Sequence, residues 1–144
     1  MTKKERGIGL FKEGFSCSQA VATVFAEDQG LPVETALRLS QGFGGGMARM
    51  ADTCGAVTGA ILVLGLKHGR TRADDNAAKE RTYDLVRELA RRFKARHGSL
   101  DCRDLLGCDI GTPEGLKLSN DARLHDHLCP LLVASAVEIL EDIL

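Results

Sequence analysis

The sequence has no tryptophan and a single tyrosine, and aromatic residues fill only 4% of its 144 positions. So little aromatic surface argues against a stacking platform for bases or sugars. Neither sign of charge is in excess: 19 lysines and arginines stand against 20 aspartates and glutamates, for a net charge of −1. That balance removes the electrostatic footprint of a nucleic-acid binder. Long apolar runs are missing too. The longest, Ala56 to Leu66, is broken by Thr58, Gly59 and Gly65, and it falls far short of the roughly 20 residues that a membrane span needs. Met1 to Gly14 is charged and carries no apolar stretch, so no secretory signal is visible and a cytoplasmic setting is expected. No C-x-x-C pair occurs, which excludes a thioredoxin-type motif, a zinc-ribbon knuckle and a c-type haem attachment site. Sustained apolar/polar alternation, the mark of strands, is also absent.

What the sequence does have is helical periodicity, 16 glycines and five cysteines. One all-α domain over 1–144 is expected, a multi-helix bundle around a central apolar helix. The first helix runs from Lys3 to Glu13 and ends at Gly14. The second opens at Ser16, with Gln19 placed as in a capping box, and stops at Gly30. Pro32 suits the first position of a short helix reaching about Ser40. The run Gln41-Gly42-Phe43-Gly44-Gly45-Gly46-Met47 is costly as an ordinary helix, and reads as a sharp chain reversal rather than a phosphate loop, since no strand precedes it and no P-loop lysine follows. A helix over about 52–68, apolar nearly all round, is the expected centre. Gly55 and Gly59 lie on one face of it, suited to close approach by another helix. A long helix from Ala73 to Arg96 places its acids early and its bases late, as the helix dipole favours, with Thr82, Leu85, Val86, Leu89, Ala90 and Phe93 as its inner stripe. Short helices follow at Asp101–Leu106 and from Pro113. The last runs from Cys129-Pro130 to Leu144, with Leu131, Val133, Ala136, Val137, Leu140 and Ile143 facing inward.

The cysteines carry the chemical signal. Cys17, Cys54, Cys102 and Cys129 each fall within about one turn of an expected helix amino terminus. Unpaired backbone N–H groups there lower a thiol pKa or stabilise a thiolate ligand. Cys108 stands apart, in the turn after a helix. Packing as a small hydrophobe is the ordinary fate of any one free cysteine, but four in the same electrostatic setting point to a joint site assembled from distant segments. His127 is a minor candidate for a further ligand, with His125 ranked below it, because His125, His127 and Cys129 share one side if the chain is extended there.

Phe15-Ser16-Cys17-Ser18-Gln19-Ala20-Val21, the glycine-rich Gly42 to Met47, Thr53-Cys54-Gly55-Ala56-Val57-Thr58-Gly59, Cys102-Arg103-Asp104-Leu105-Leu106-Gly107 and Cys129-Pro130 together resemble the C_GCAxxG_C_C family of redox-active proteins over nearly the whole chain. Thr53 replaces the glycine of the family signature, and Cys108 is additional. The resemblance implies a cysteine-based redox role. A related arrangement in the non-haem region of split-Soret cytochromes, where an iron centre is associated with the cysteines, implies an iron–sulfur site as an alternative. The covalent-haem half of that relative has no counterpart here.

Three functions follow as expectations. The leading one is thiol/disulfide or electron-transfer chemistry, with Cys54 as attacking or oxidised thiolate, a second of the four as resolving thiol, and no cofactor required; an oxidoreductase would act this way. The second is an iron–sulfur cluster or zinc held by Cys17, Cys54, Cys102 and Cys129. The third is a non-catalytic helical interaction module whose cysteines only pack. The partner would be a redox protein or a small-molecule substrate, and a homo-oligomer is compatible with the sequence. The first two rest on whether folding gathers the sulfurs.

Overall fold

Several helix ends are set by local chemistry that can be read residue by residue in the computed structural model, which describes residues 1–144. Eight helices result: α1 (Lys3–Glu13), α2 (Cys17–Ala26), α3 (Val33–Ser40), α4 (Gly55–His68), α5 (Asn76–His97), α6 (Cys102–Leu106), α7 (Pro113–Asp121) and α8 (Cys129–Ile143), with further single turns at Gly44–Met47 and Leu124–His127. Thr2 and Glu5 form a reciprocal capping box at the start of α1, and Gly14 ends it at φ 116°. Ser16 and Gln19 do the same for α2: the Ser16 amide donates to Gln19 Oε1 at 3.0 Å and the Gln19 amide to Ser16 Oγ at 3.3 Å. Asp75 caps α5, accepting from the Ala78 amide at 3.0 Å, so this helix starts later than the expected Ala73. Pro32 is the cap of α3 and not its first residue.

The centre of the bundle is a pair of helices. Every residue of α2 from Ser18 to Ala26 is buried, and its most extensive packing is against α4. Gly55 and Gly59 explain how close the two come. A Cβ on Gly59 would lie 2.7 Å from the Ser18 carbonyl oxygen, and one on Gly55 would lie 3.1 Å from the Ser18 amide and 3.3 Å from Cys17 Cβ. The small face of α4 therefore receives the amino-terminal turn of α2 backbone to backbone. Around this pair, α1 packs across α2 and α8, α5 covers α4 and α8, and α3 flanks α2. Phe93 and Leu89 of α5, Leu64 of α4, and Ile139 and Leu140 of α8 are fully buried among them. Two inner stripes differ from what periodicity suggests. Of the α5 set only Leu89 and Phe93 are buried, and Leu131 is 59% exposed because the buried face of α8 turns through Leu132 and Val133 instead.

The approach to α4 differs most from the sequence reading. The helix begins at Gly55, with Cys54 as its cap, rather than at Asp52 or Thr53. Residues 51–54 are paired with 100–103: the Cys54 amide donates to the Leu100 carbonyl at 2.8 Å, the Cys102 amide to the Asp52 carbonyl at 2.6 Å, and the Arg103 amide to the Ala51 carbonyl at 3.2 Å, around an isolated antiparallel bridge between Thr53 and Asp101. Backbone groups used in this clip cannot also serve a helix. Just before it, Gly45, Gly46, Met47, Ala48 and Arg49 all have positive φ, between 51° and 69°, and form a left-handed turn closed by the Ala48 amide on the Gly44 carbonyl. Left-handed backbone costs an L-residue about 1–2 kcal/mol, so Met47, Ala48 and Arg49 are strained and the surrounding contacts hold them. Gly46 is required on both counts, at φ 68° and with room for a Cβ only 2.8 Å from that of Cys102.

Candidate thiol site

Four segments deliver their cysteines to one place. Cys17 is the first residue of α2, Cys54 caps α4, Cys102 opens α6 and Cys129 opens α8. All four line a single cavity of about 900 Å³. Three devices place them: the glycine face of α4 seats Cys17 beside Cys54, the clip between residues 51–54 and 100–103 joins Cys54 to Cys102, and packing of α8 on α2 brings in Cys129. Behind Cys17 runs a network of buried and part-buried hydrogen bonds. Ser18 Oγ donates to the Ser40 carbonyl at 2.7 Å, and Gln19 Nε2 donates to the Leu37 carbonyl at 3.0 Å and to Gln41 Oε1 at 3.0 Å. These bonds tie the start of α2 to the end of α3, so the Cys17 backbone is fixed from two sides. Cys108 does not line the cavity, yet its sulfur is close enough to Cys102 to disfavour a second negative charge there.

The electrostatics of the four thiols are unequal. Hydrogen bonding to Cys129 pushes the Cys17 thiol well above its ordinary range, and burial and the other three sulfurs add to the effect. The same interaction, read from the other side, lowers Cys129: the Cys17 thiol favours its thiolate, its own backbone amide helps, and burial opposes. Burial pushes Cys54 up to about 11 although the amides of Ala56 and Val57 pull it down. Burial also pushes Cys102 up to about 12, with the neighbouring sulfurs and Asp109 adding to it. The expectation that helix starts would lower these pKa values, with Cys54 as the foremost thiolate, is therefore corrected. Desolvation is the main cause at Cys54 and Cys102, and the hydrogen bond to Cys129 is the main cause at Cys17. Cys129 is the thiol whose ionised form is favoured.

The histidines are corrected as well. His127 is exposed and away from the cavity, whereas His125 lines it, its ring 4.4 Å from that of Phe11 between centroids. The segment is a helical turn, Leu124–His127, which puts residues two apart on different sides; only an extended chain would align them. The cavity also includes residues that the sequence did not single out, among them Arg49, Gln41, Ser119 and Asn120. Gln41 and Arg49 bracket the glycine run, and that adjacency was the available signal. Ser119 and Asn120 carried none.

Residues 15–143 match the family described as "Putative redox-active protein (C_GCAxxG_C_C)". The chain belongs to this family. Its match spans Cys17 at one end and Cys129 and all of α8 at the other, so the C_GCAxxG_C_C family is recognised over all of the cavity lining except Phe11 and Gly14. No curated protein and no solved structure matches the chain. No helix is long and apolar enough to cross a membrane.

The four sulfurs also bear on a bound metal. No three side chains of the His, Cys, Asp and Glu types converge as the donors of a single ion do, so a mononuclear zinc site, which needs four donors about 2.0–2.3 Å from one centre, does not fit. A polynuclear cluster instead spreads its thiolates around a body of several atoms; Cys17, Cys54, Cys102 and Cys129 are the cysteines of the cavity wall.

Proposed function

We propose that this C_GCAxxG_C_C protein carries out thiol–disulfide redox chemistry with Cys129 as the attacking thiolate and Cys17 as the resolving thiol. The observation that carries the reading is the pairing of these two thiols, which favours the thiolate on Cys129 and the proton on Cys17. An attacking thiol needs thiolate character and access, and its resolving partner needs to be adjacent. In the reaction, Cys129 Sγ attacks one sulfur of a substrate disulfide, and the other sulfur leaves as a thiolate. Cys17, losing its proton to the departing thiolate, then attacks Cys129 Sγ and expels the second substrate thiol. Two protein thiols become one Cys17–Cys129 disulfide while one substrate disulfide becomes two thiols, so electrons balance without any cofactor. Buried and protonated, Cys54 and Cys102 take no part in the first step.

The test is thiol counting and disulfide mapping on protein equilibrated with excess reductant or with a small disulfide. Two fewer titratable thiols after oxidation, and a peptide pair joining Cys17 to Cys129, are expected. Equal counts, or a bond between other cysteines, overturn the assignment.

A second reading is favoured by the convergence of all four sulfurs on one cavity: Cys17, Cys54, Cys102 and Cys129 as ligands of an iron–sulfur cluster. Such a cluster would supply one-electron transfer when bound. Protein purified without oxygen would then carry iron and sulfide in fixed ratio with visible absorption, and colourless, iron-free protein from that preparation would remove it.

A further inference from the structure

The sulfurs occupy only part of the cavity, and the remaining wall has a one-sided charge character. No aspartate or glutamate lines it. Its single permanently charged side chain is Arg49, and amides and hydroxyls such as Gln41, Ser119 and Asn120 make up the rest of the polar surface beside His125. Arg49 makes no ion pair and no side-chain hydrogen bond, whereas most of the chain's other arginines have a partner. It is also the last residue of the strained left-handed turn, at φ 64°. An L-residue is held in that conformation at a cost, and here the strained backbone sets Arg49, an exposed side chain without an ion-pair partner, among the residues that line the cavity holding the thiols. A guanidinium is matched by a carboxylate or phosphate, which it can grip through two parallel hydrogen bonds. The net charge of −1 gives the molecule no general attraction for anions, so any preference has to come from the cavity itself.

We infer that the cavity takes a small anionic disulfide, with Arg49 gripping its carboxylate or other acidic group while the sulfur end reaches Cys129. The cavity volume, about 900 Å³, lies within the range for small-molecule sites. This inference rests on the thiol–disulfide reading for the reaction it feeds, and the binding half can be tested separately. Arg49 is a specificity residue, and the bond exchange is that of Cys129 and Cys17 described above.

The probes are 3,3′-dithiodipropionate, its neutral bis-amide, and the redox-inert thioether 3,3′-thiodipropionate. Reduced full-length protein is mixed with each disulfide, and rates are normalised to those with a free dithiol. The dicarboxylate is expected to react about tenfold or more faster than the bis-amide, as losing or gaining a charge-assisted hydrogen bond implies. In Arg49→Gln that ratio should fall toward unity, and Arg49→Lys should restore part of it. Calorimetry should detect the thioether binding to the native protein and not to Arg49→Gln. Equal normalised rates for the two disulfides, or a preference that survives in Arg49→Gln, overturn the inference. If neither disulfide is consumed and the thioether still binds through Arg49, the exchange reaction falls while the anion site stands. With neither reaction nor thioether binding, both fall.

Discussion

A thiol that keeps its proton in the folded protein more tightly than in the unfolded chain makes stability depend on pH, and three of the cavity cysteines, Cys17, Cys54 and Cys102, do so. Cys54 holds its proton to about pH 11 and Cys102 to about 12, against an ordinary value near 9. Between those limits the unfolded chain has released protons that the folded one retains, so raising the pH favours unfolding. The contribution is intact below about pH 9 and is lost through pH 11–12, at roughly 1.4 kcal/mol per pH unit for each thiol. Under strictly reducing conditions, urea midpoints should therefore decline between pH 8.5 and 10.5, and Cys54→Ala should decline less steeply over that interval. A slope unchanged by the substitution would show that Cys54 is not the group responsible. The residue scale also shows why helix position misjudged which thiol is favoured in its ionised form. A helix amino terminus is visible in a sequence and burial is not, so Ser16 before Cys17 was readable while the desolvation of Cys54 was not. The favoured Cys129 thiolate depends on a partner from the opposite end of the chain.

Among the elements, the crossing of α2 and α4 does the most to assemble the site, and its tolerance is small. A methyl group on Gly59 would meet the Ser18 backbone at 2.7 Å, and backbone cannot swing aside as a side chain does. Gly59→Ala should cost about 1–3 kcal/mol through overpacking, seen as a lower denaturant midpoint, and should shift Cys17 away from Cys129, seen as slower alkylation of Cys129 near neutral pH. Ser16→Ala, which removes the cap but adds no bulk, should cost about 1 kcal/mol with a smaller effect on alkylation. A substitution at Gly59 that left both quantities unchanged would mean that the helices do not pack this closely. Much of this element-level structure was legible. Ser16 with Gln19, Gly14, and Thr112 before Pro113 are local signals that each sets a helix end within a few residues, and Gly55 with Gly59 signalled a close approach. The clip between residues 51–54 and 100–103 was not legible, because its backbone pairing joins segments some fifty residues apart and leaves no periodicity behind. Nor was the left-handed turn beyond Gly46, since nothing in Met47, Ala48 and Arg49 themselves favours positive φ.

For the whole molecule, the proposed Cys17–Cys129 disulfide has a consequence that is separate from its chemistry. It would join the first residue of α2 to the first residue of α8, closing a loop that contains α2 through α7 and hence most of the chain. Closing a loop of about 100 residues removes conformational entropy from the unfolded state worth roughly 4–5 kcal/mol, less any strain that the bond introduces. The two thiols already neighbour one another in the reduced fold, so the strain term should be small. Oxidation should therefore raise the thermal midpoint markedly, reductant should reverse the rise, and Cys129→Ser should abolish it with little change to the reduced protein. A disulfide between Cys54 and Cys102 would close a loop about half as long and give a gain only slightly smaller, so the midpoint alone does not tell the two apart. The serine variant shows whether Cys129 is involved: a rise that persists in Cys129→Ser would place the bond among the other cysteines and would move the chemistry with it.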